Sequence, residues 1–250
     1  MLDVSGLTLS YGGDPVLEGA NLRVEAGQFV SLVGPSGSGK SSLLRAIMGL
    51  QQPSAGTVAL GLDRRDLGIL FQDDALLPWR TALDNVALGL RIRGKPRPHA
   101  RDEAEAWLGR LGLAGFGERF PRALSGGQRK RVALAQVLAL QPRLLLMDEP
   151  FASLDAIVRH RITQDLLDLV EGEKISVLLV THDLEEALVL SDIVHLLAQG
   201  PRAHIRRQYA VPIPRPRDIV KARTNPTFAS LLERLWRDLS NEVDVVRRVA

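Results

Sequence analysis

The octapeptide Gly34-Pro35-Ser36-Gly37-Ser38-Gly39-Lys40-Ser41 constrains this chain more than any other stretch, because it satisfies the pattern G-x-x-x-x-G-K-[ST]. In such a loop, glycines let backbone N–H groups turn inward on phosphate oxygens. The lysine adds a point charge, and the serine hydroxyl ligates a hard cation such as Mg²⁺. A loop of this kind leaves a strand and enters a helix, and the flanks agree. Phe29-Val30-Ser31-Leu32-Val33 is an apolar run of strand length. Ser42-Leu43-Leu44-Arg45-Ala46-Ile47-Met48 reads as a helix whose positive N-terminal end faces the loop. The expectation is an α/β nucleotide-binding domain in which Gly34 to Ser42 surround the phosphates of ATP or GTP.

A second apolar run, Leu144-Leu145-Leu146-Met147, ends in Asp148-Glu149-Pro150 and reads as a buried parallel strand with acids at its carboxyl end. Ligands of open α/β sheets sit outside that end. Asp148 is therefore expected to hold the metal through water, and Glu149 to orient or polarise the water that attacks the terminal phosphate. The plainer alternative is a turn with two solvated acids; the phosphate loop argues against it. A third segment, Leu124-Ser125-Gly126-Gly127-Gln128, has capping-box spacing between Ser125 and Gln128 and runs into a largely apolar helix from Val132 to Ala139. Arg129-Lys130-Arg131 then puts three cations in the first turn, where the helix dipole disfavours them. Either an acidic or phosphate partner lies near, or this is a solvated basic turn.

Composition narrows the class. A chain of 250 residues, 45% hydrophobic and 24% charged, can bury a full core as one globular domain. It has no cysteine, which excludes a disulfide framework, a cysteine zinc site and a cysteine nucleophile, and fits a reducing compartment. The opening Met1-Leu2-Asp3-Val4-Ser5 lacks a basic-then-apolar leader pattern, and no apolar run is long enough to span a bilayer. A cytoplasmic protein is expected, with any membrane role peripheral. The net charge is only +3, with basic residues scattered except toward the C-terminal end, so nucleic acid is not an expected partner.

The chain resembles an ATP-binding cassette ATPase from about Val4 to about Leu197, with five motifs in that family's order. The resemblance implies a P-loop NTPase fold: a RecA-like core with a mainly parallel sheet, an antiparallel β part and an α-helical subdomain inserted at about residues 73–142. The cassette would occupy residues 1–200, followed by a C-terminal extension over 201–250. The resemblance also assigns roles. Tyr11 would stack on adenine. Gln72 would sense Mg²⁺ and link the two subdomains. Asp155, in Ser153-Leu154-Asp155, would cross a dimer interface, and His182, after the apolar strand Ile175 to Val180, would contact the γ-phosphate. Leu124 to Gln128 is the family's signature, with Ser125, Gly126, Gly127 and Gln128 capping an ATP held by a second cassette. Implied partners are that second subunit, most simply another copy of this chain, a membrane-embedded permease and, indirectly, a substrate-binding protein. The implied place is the cytoplasmic face of the inner membrane.

Plainer roles stand beside these: partly buried packing for Tyr11, a loop amide for Gln72, a helix N-terminal acid for Asp155. In the insert, Thr81-Ala82-Leu83-Asp84 reads as a capped helix start, and Ala104, Trp107, Leu108 and Leu111 form one apolar face. Leu77 and Trp79 either line the groove that receives the permease or are subdomain core, a reading that suits Leu76 better than Trp79. Beyond about Gln199, Val211-Pro212-Ile213-Pro214-Arg215-Pro216-Arg217-Asp218 is an extended basic link. Phe228, Leu231, Leu232, Leu235 and Leu239 follow at helical spacing. The link and the Phe71-Gln72-Asp73 region resemble the importers of nitrate, sulfonates, taurine and thiamine precursors. A soluble cassette acting in DNA repair, chromosome structure or translation is the rival class; fused cassettes, long coiled coils or zinc cysteines would mark it, and none is visible here.

Overall fold

The computed structural model describes residues 1–200 and 202–249, with side chains to residue 241. The elements in chain order are β1 (Leu2–Ser10), β2 (Pro15–Val24), β3 (Phe29–Val33), α1 (Lys40–Ile47), β4 (Ala55–Leu60), β5 (Leu67–Leu70), α2 (Ala82–Ile92), α3 (Arg97–Arg110) and α4 (Gly126–Leu138). They continue with β6 (Leu144–Asp148), α5 (Ala156–Gly172), β7 (Ser176–Thr181), α6 (Leu184–Leu190), β8 (Ile193–Leu197), β9 (Ile205–Ala210), α7 (Ile219–Arg223) and α8 (Pro226–Val249). The chain divides into two compact units, residues 1–63 with 170–250, and residues 64–169.

In the first unit, β1 lies between β2 and β4 in an antiparallel sheet. Its register shifts repeatedly against β2, as expected where Gly6 and Gly19 sit at positive φ in the two strands. A second sheet pairs β3 with β7 and β8 in parallel and adds β9 antiparallel to β8. β3 and β7 are buried at every residue, which explains why Phe29 to Val33 and Ser176 to Thr181 read as unbroken runs rather than alternating ones. His195 of β8 is 4% exposed, and its Nδ1 has no hydrogen-bond partner among the described residues. Burial pulls its pKa from 6.5 to about 4, so the ring is neutral at physiological pH.

β9 and the segment after it differ from the sequence expectation. The link is docked, not solvated: Val211, Ile213 and Arg217 are buried. Arg215 donates to the Leu190 carbonyl (2.7 Å) at the end of α6 and to Asp192 (2.8 Å), and is ion-paired with Glu171. Arg217 donates to the carbonyls of Val189, Ser191, Val211 and Ile213. Prolines supply no N–H donors, so the arginines hold the segment down. Of the stripe read from the sequence, α8 buries Phe228, Leu231 and Leu235 and leaves Leu232 and Leu239 half-buried, and Asp238 accepts from Arg207 and from the Tyr209 hydroxyl of β9.

In the second unit β5 and β6 pair in parallel, and α2, α3 and α4 pack on one another. Thr81 caps α2, its hydroxyl accepting from the Asp84 N–H at 3.2 Å, as the sequence predicts. Ala100, Ala104, Trp107, Leu108 and Leu111 are buried, so the apolar face of α3 is core.

Candidate functional site

The phosphate loop lies in the first unit, where β3 ends and α1 begins. Gly39 stands at the N-cap of α1 with φ 89°, a left-handed conformation that only glycine adopts without strain. No side chain caps this helix, and its first-turn N–H groups face the loop. Lys40 is 6% exposed, and its ammonium donates to the carbonyls of Gly34 (2.8 Å) and Pro35 (2.7 Å), so the charge is held at the loop. Ser38 tightens the turn by donating from Oγ to the Pro35 carbonyl at 2.8 Å.

Two further residues of this unit are drawn to the loop. Tyr11 is 54% exposed, and its hydroxyl is hydrogen-bonded to Ser42 Oγ (2.9 Å) in the first turn of α1 and to Gln51 (2.5 Å). It is an exposed ring tethered at its tip, not packed core. His182 follows from register: Val33 pairs with Thr181 across the β3–β7 ladder, so the next residue of each strand, Gly34 and His182, leaves the same carboxyl end. The histidine is exposed on a turn braced by Thr181 Oγ1, which accepts from the Asp183 N–H at 3.1 Å. Asp183 in turn caps α6 through the Glu186 N–H at 3.0 Å.

In the second unit the same logic applies to β5 and β6. Leu70 pairs with Met147, so Gln72 and Asp148-Glu149 issue from one carboxyl end. Both acids are half-buried. Glu149 has φ 44°, a left-handed conformation costing a non-glycine residue on the order of 1–2 kcal/mol. Ala75, Gln141, Lys174 and Arg202 share this conformation, and nothing in the sequence announces it at Glu149.

Ser125 caps α4 in a complete capping box: its hydroxyl accepts from the Gln128 N–H (3.3 Å), and Gln128 Oε1 accepts from the Ser125 N–H (2.9 Å). The Gln128 amide oxygen is thus engaged locally, while Ser125 is exposed. Gly127 is required by close approach, since a Cβ there would stand 2.5 Å from Val158 Cγ1 in the first turn of α5. Asp155 caps that helix, accepting from the Val158 N–H at 3.0 Å, the plainer of its two sequence roles.

The three cations of α4 are partnered, not solvated. Arg129 lies 3.5 Å from Asp74 and donates to the Leu124 carbonyl. Lys130, 1% exposed, is ion-paired with Asp74 at 2.8 Å. Arg131 bonds Asp165 and the Leu111 carbonyl, each at 2.7 Å. Acidic partners offset the dipole penalty. Sequence reading missed Asp74, and also Asn85, which is fully buried and bonds the Leu77 N–H and the carbonyls of Leu77, Arg80 and Thr81. That clamp shapes the turn leaving Trp79 71% exposed, with Leu76 and Leu77 half-buried. Of the two readings for Trp79, the structure excludes core.

Comparison with known proteins agrees with these features. Residues 17–152 match the family described as ABC transporter. The chain is similar to the taurine import ATP-binding protein TauB of Yersinia pestis, 43% identical over 212 residues covering 83% of each chain. It is also similar to the aliphatic sulfonates import ATP-binding protein SsuB 1 of Rhodococcus jostii, 49% identical over 220 residues covering 86% of this chain and 85% of that one. Among solved structures, the ATP-binding cassette MJ0796, dimeric in a post-hydrolysis state with ADP and Pi, superposes with a TM-score of 0.75 at 33% identity, covering 86% of this chain and all of that one. These relatives fall within the importer group that the Phe71-Gln72-Asp73 region and the link resemble.

Proposed function

Because this chain belongs to the ABC transporter family and has its P-loop NTPase fold, we propose that it is the ATP-hydrolysing subunit of an importer for taurine or a related sulfonate, working as a dimer on a membrane permease. The observation that carries the nucleotide chemistry is the Val33–Thr181 register, which sets the phosphate loop and His182 side by side at one sheet end. The taurine and aliphatic sulfonates for which the relatives are named support the sulfonate class. Among the described residues no helix is long and apolar enough to cross a membrane, so attachment there falls to the permease.

Roles follow from chemistry. Gly34 to Ser42 hold the phosphates, with Pro35, Ser36, Gly37 and Ser38 shaping the loop, and Tyr11 offers its exposed ring to the base. Among the described residues no group of three or more His, Cys, Asp or Glu could form a protein metal cage. The donors present, the Ser41 hydroxyl, the Gln72 amide and the Asp148 carboxylate, are all oxygen. That set fits Mg²⁺, a hard cation that these oxygens would hold directly or through water beside substrate phosphate. When bound, the ion would neutralise charge on the phosphates. Glu149 holds a proton acceptor toward the attacking water, and His182 meets the terminal phosphate as a hydrogen-bond donor. Ser125, Gly126 and Gly127 meet the nucleotide of the second subunit, Gln128 acts through the cap it forms with Ser125, and Asp155 lies beside that contact. ATP can favour the closed dimer only through contacts absent from the open one, and this segment supplies them. Closure and reopening move the permease between access states, with cargo delivered by a substrate-binding protein.

The test is sizing chromatography of Glu149→Gln with Mg-ATP, expected to trap a dimer that the parent shows only transiently. Lys40→Ala removes a charge-assisted bond worth about 1.5–3 kcal/mol, weakening nucleotide binding by roughly 10- to 150-fold. A Glu149→Gln protein that stays monomeric with saturating Mg-ATP defeats the mechanism. Reconstitution with the co-purifying permease then tests the cargo: taurine or an alkanesulfonate should stimulate ATP turnover, whereas stimulation by a non-sulfonate solute alone would refute that class.

A further inference from the structure

Lys130 is a lysine with 1% of its side chain exposed, in a helix turn already crowded with cations. Burial at that level is uncommon for lysine and requires that its charge and its three N–H donors all be satisfied. Here they are. Nζ is 2.8 Å from Asp74 Oδ1, 3.0 Å from the Gln72 carbonyl and 3.4 Å from the Phe71 carbonyl. Arg129, one residue earlier on α4, adds a longer contact of 3.5 Å to the other Asp74 oxygen. The peptide carrying Gln72 is therefore fastened to the first turn of the helix that Ser125 caps, by a point charge at the end of a fully buried stem.

We propose that Lys130 is a positioning residue: through Asp74 and the two carbonyls it fixes the backbone of Gln72 to the signature helix, so that Gln72 and Ser125 to Gln128 move as one body. The inference rests on the reading of Gln72 as the metal-facing amide only for its catalytic consequence; the clamp itself is a matter of geometry. The chemistry is specific to lysine. A glutamine is too short and carries no charge for Asp74, and methionine keeps the stem but removes every donor. An arginine offers a flat fork where three acceptors converge on one nitrogen.

Two readouts on the full-length protein separate the clamp from its consequence. NMR backbone order parameters at residues 71–75 should fall from about 0.85 toward about 0.6 in Lys130→Met and by less in Asp74→Asn, while those of α3 hold their parent values. In ATP turnover at saturating ATP, Lys130→Met should raise the Mg²⁺ concentration for half-maximal rate several-fold while leaving the KM for ATP within about twofold. In a Gln72→Ala background the same substitution should add nothing further. Unchanged order parameters at 71–75 in both single variants overturn the clamp, as does a fall spread evenly over the unit, which is general destabilisation. An Mg²⁺ shift that multiplies with that of Gln72→Ala overturns action through Gln72. Local loosening at 71–75 with no Mg²⁺ shift in Lys130→Met or in Gln72→Ala supports the clamp and sinks instead the metal role of Gln72. Asp74→Asn keeps the test decisive should Lys130→Met fold poorly, since Asp74 is partly solvated.

Discussion

Replacing Arg217 by methionine should cost more stability than any other single change in the C-terminal extension, and the size follows from its contacts. The guanidinium donates from Nε to Ile213 O at 3.0 Å, from Nη1 to Val189 O at 3.2 Å and Ser191 O at 2.6 Å, and from Nη2 to Ile213 O at 2.9 Å, Val211 O at 3.3 Å and Asp192 Oδ1 at 3.3 Å. Methionine refills the stem and satisfies none of these acceptors. The Val211 carbonyl keeps the Ile213 N–H at 2.8 Å, and Asp192 keeps Arg215, leaving three carbonyls to lose this donor. At about 1–3 kcal/mol for each buried acceptor left short, the gross loss is roughly 3–9 kcal/mol. Against it stands the cost of burying the cation: burial and the neighbouring Arg215 pull Arg217 down to about 10, with Asp192 and Glu171 partly compensating. The methionine variant no longer bears that cost. The net should fall at the lower end, about 3–4 kcal/mol, or about 6–16 °C in Tm for a domain of this size. Arg217→Lys should recover little, because one ammonium cannot reach acceptors spread around a planar fork. Calorimetry and urea unfolding of the full chain read the effect. A methionine variant melting within about 2 °C of the parent would show that the arginine does not hold these carbonyls.

Acid should weaken the fold through His195. The unfolded chain takes up a proton on this ring near pH 6.5, while the folded one refuses it until about pH 4. The stability of the neutral form is complete above pH 6.5 and is lost as pH falls toward 4, by up to about 3 kcal/mol. His195→Gln should flatten denaturant-derived stability across that window, and an unchanged slope would contradict the assignment. At Gly127, alanine drives its Cβ into Val158 Cγ1, 2.5 Å away on a stiff β-branched side chain, costing about 1–3 kcal/mol. Adding Val158→Ala should restore the melting temperature, and no rescue would mean that packing against α5 is not why glycine stands there. If the double variant melts normally yet fails to dimerise with ATP, Gly127 also serves the nucleotide contact.

Much of this architecture could be read from residue order, for reasons that are local. The phosphate loop, the apolar strands β3, β6 and β7, the Thr81 cap and the Ser125–Gln128 box are each specified within a few residues, by glycine conformations, unbroken apolar runs and hydroxyl-to-amide spacing. What sequence reading missed depends on partners distant along the chain. β9 alternates poorly, with only Tyr209 buried, and exists because β8 offers it an edge. The proline-rich link looks like a spacer until Arg215 and Arg217 meet carbonyls at the end of α6, more than twenty residues earlier. Lys130 and Asp74 are 56 positions apart (130 − 74), so the sequence allows an acidic partner for the basic turn without naming it. The strain at Glu149 is a backbone property that residue identity does not encode.

The same contrast bears on how ATP binding energy is used. A segment that orders only when a second subunit arrives spends part of the closing energy on its own entropy, about 0.5–1.5 kcal/mol for each immobilised side chain. Ser125 and Gln128 have already met that cost within the folded subunit, because each satisfies the other's backbone N–H. Gly127 is held against α5 and Lys130 against the Gln72 peptide. Glu149 follows the same principle at the level of backbone, since its left-handed conformation is set within the folded chain. In the proposed cycle, preorganisation of this kind leaves more of the ATP contact energy for closing the dimer.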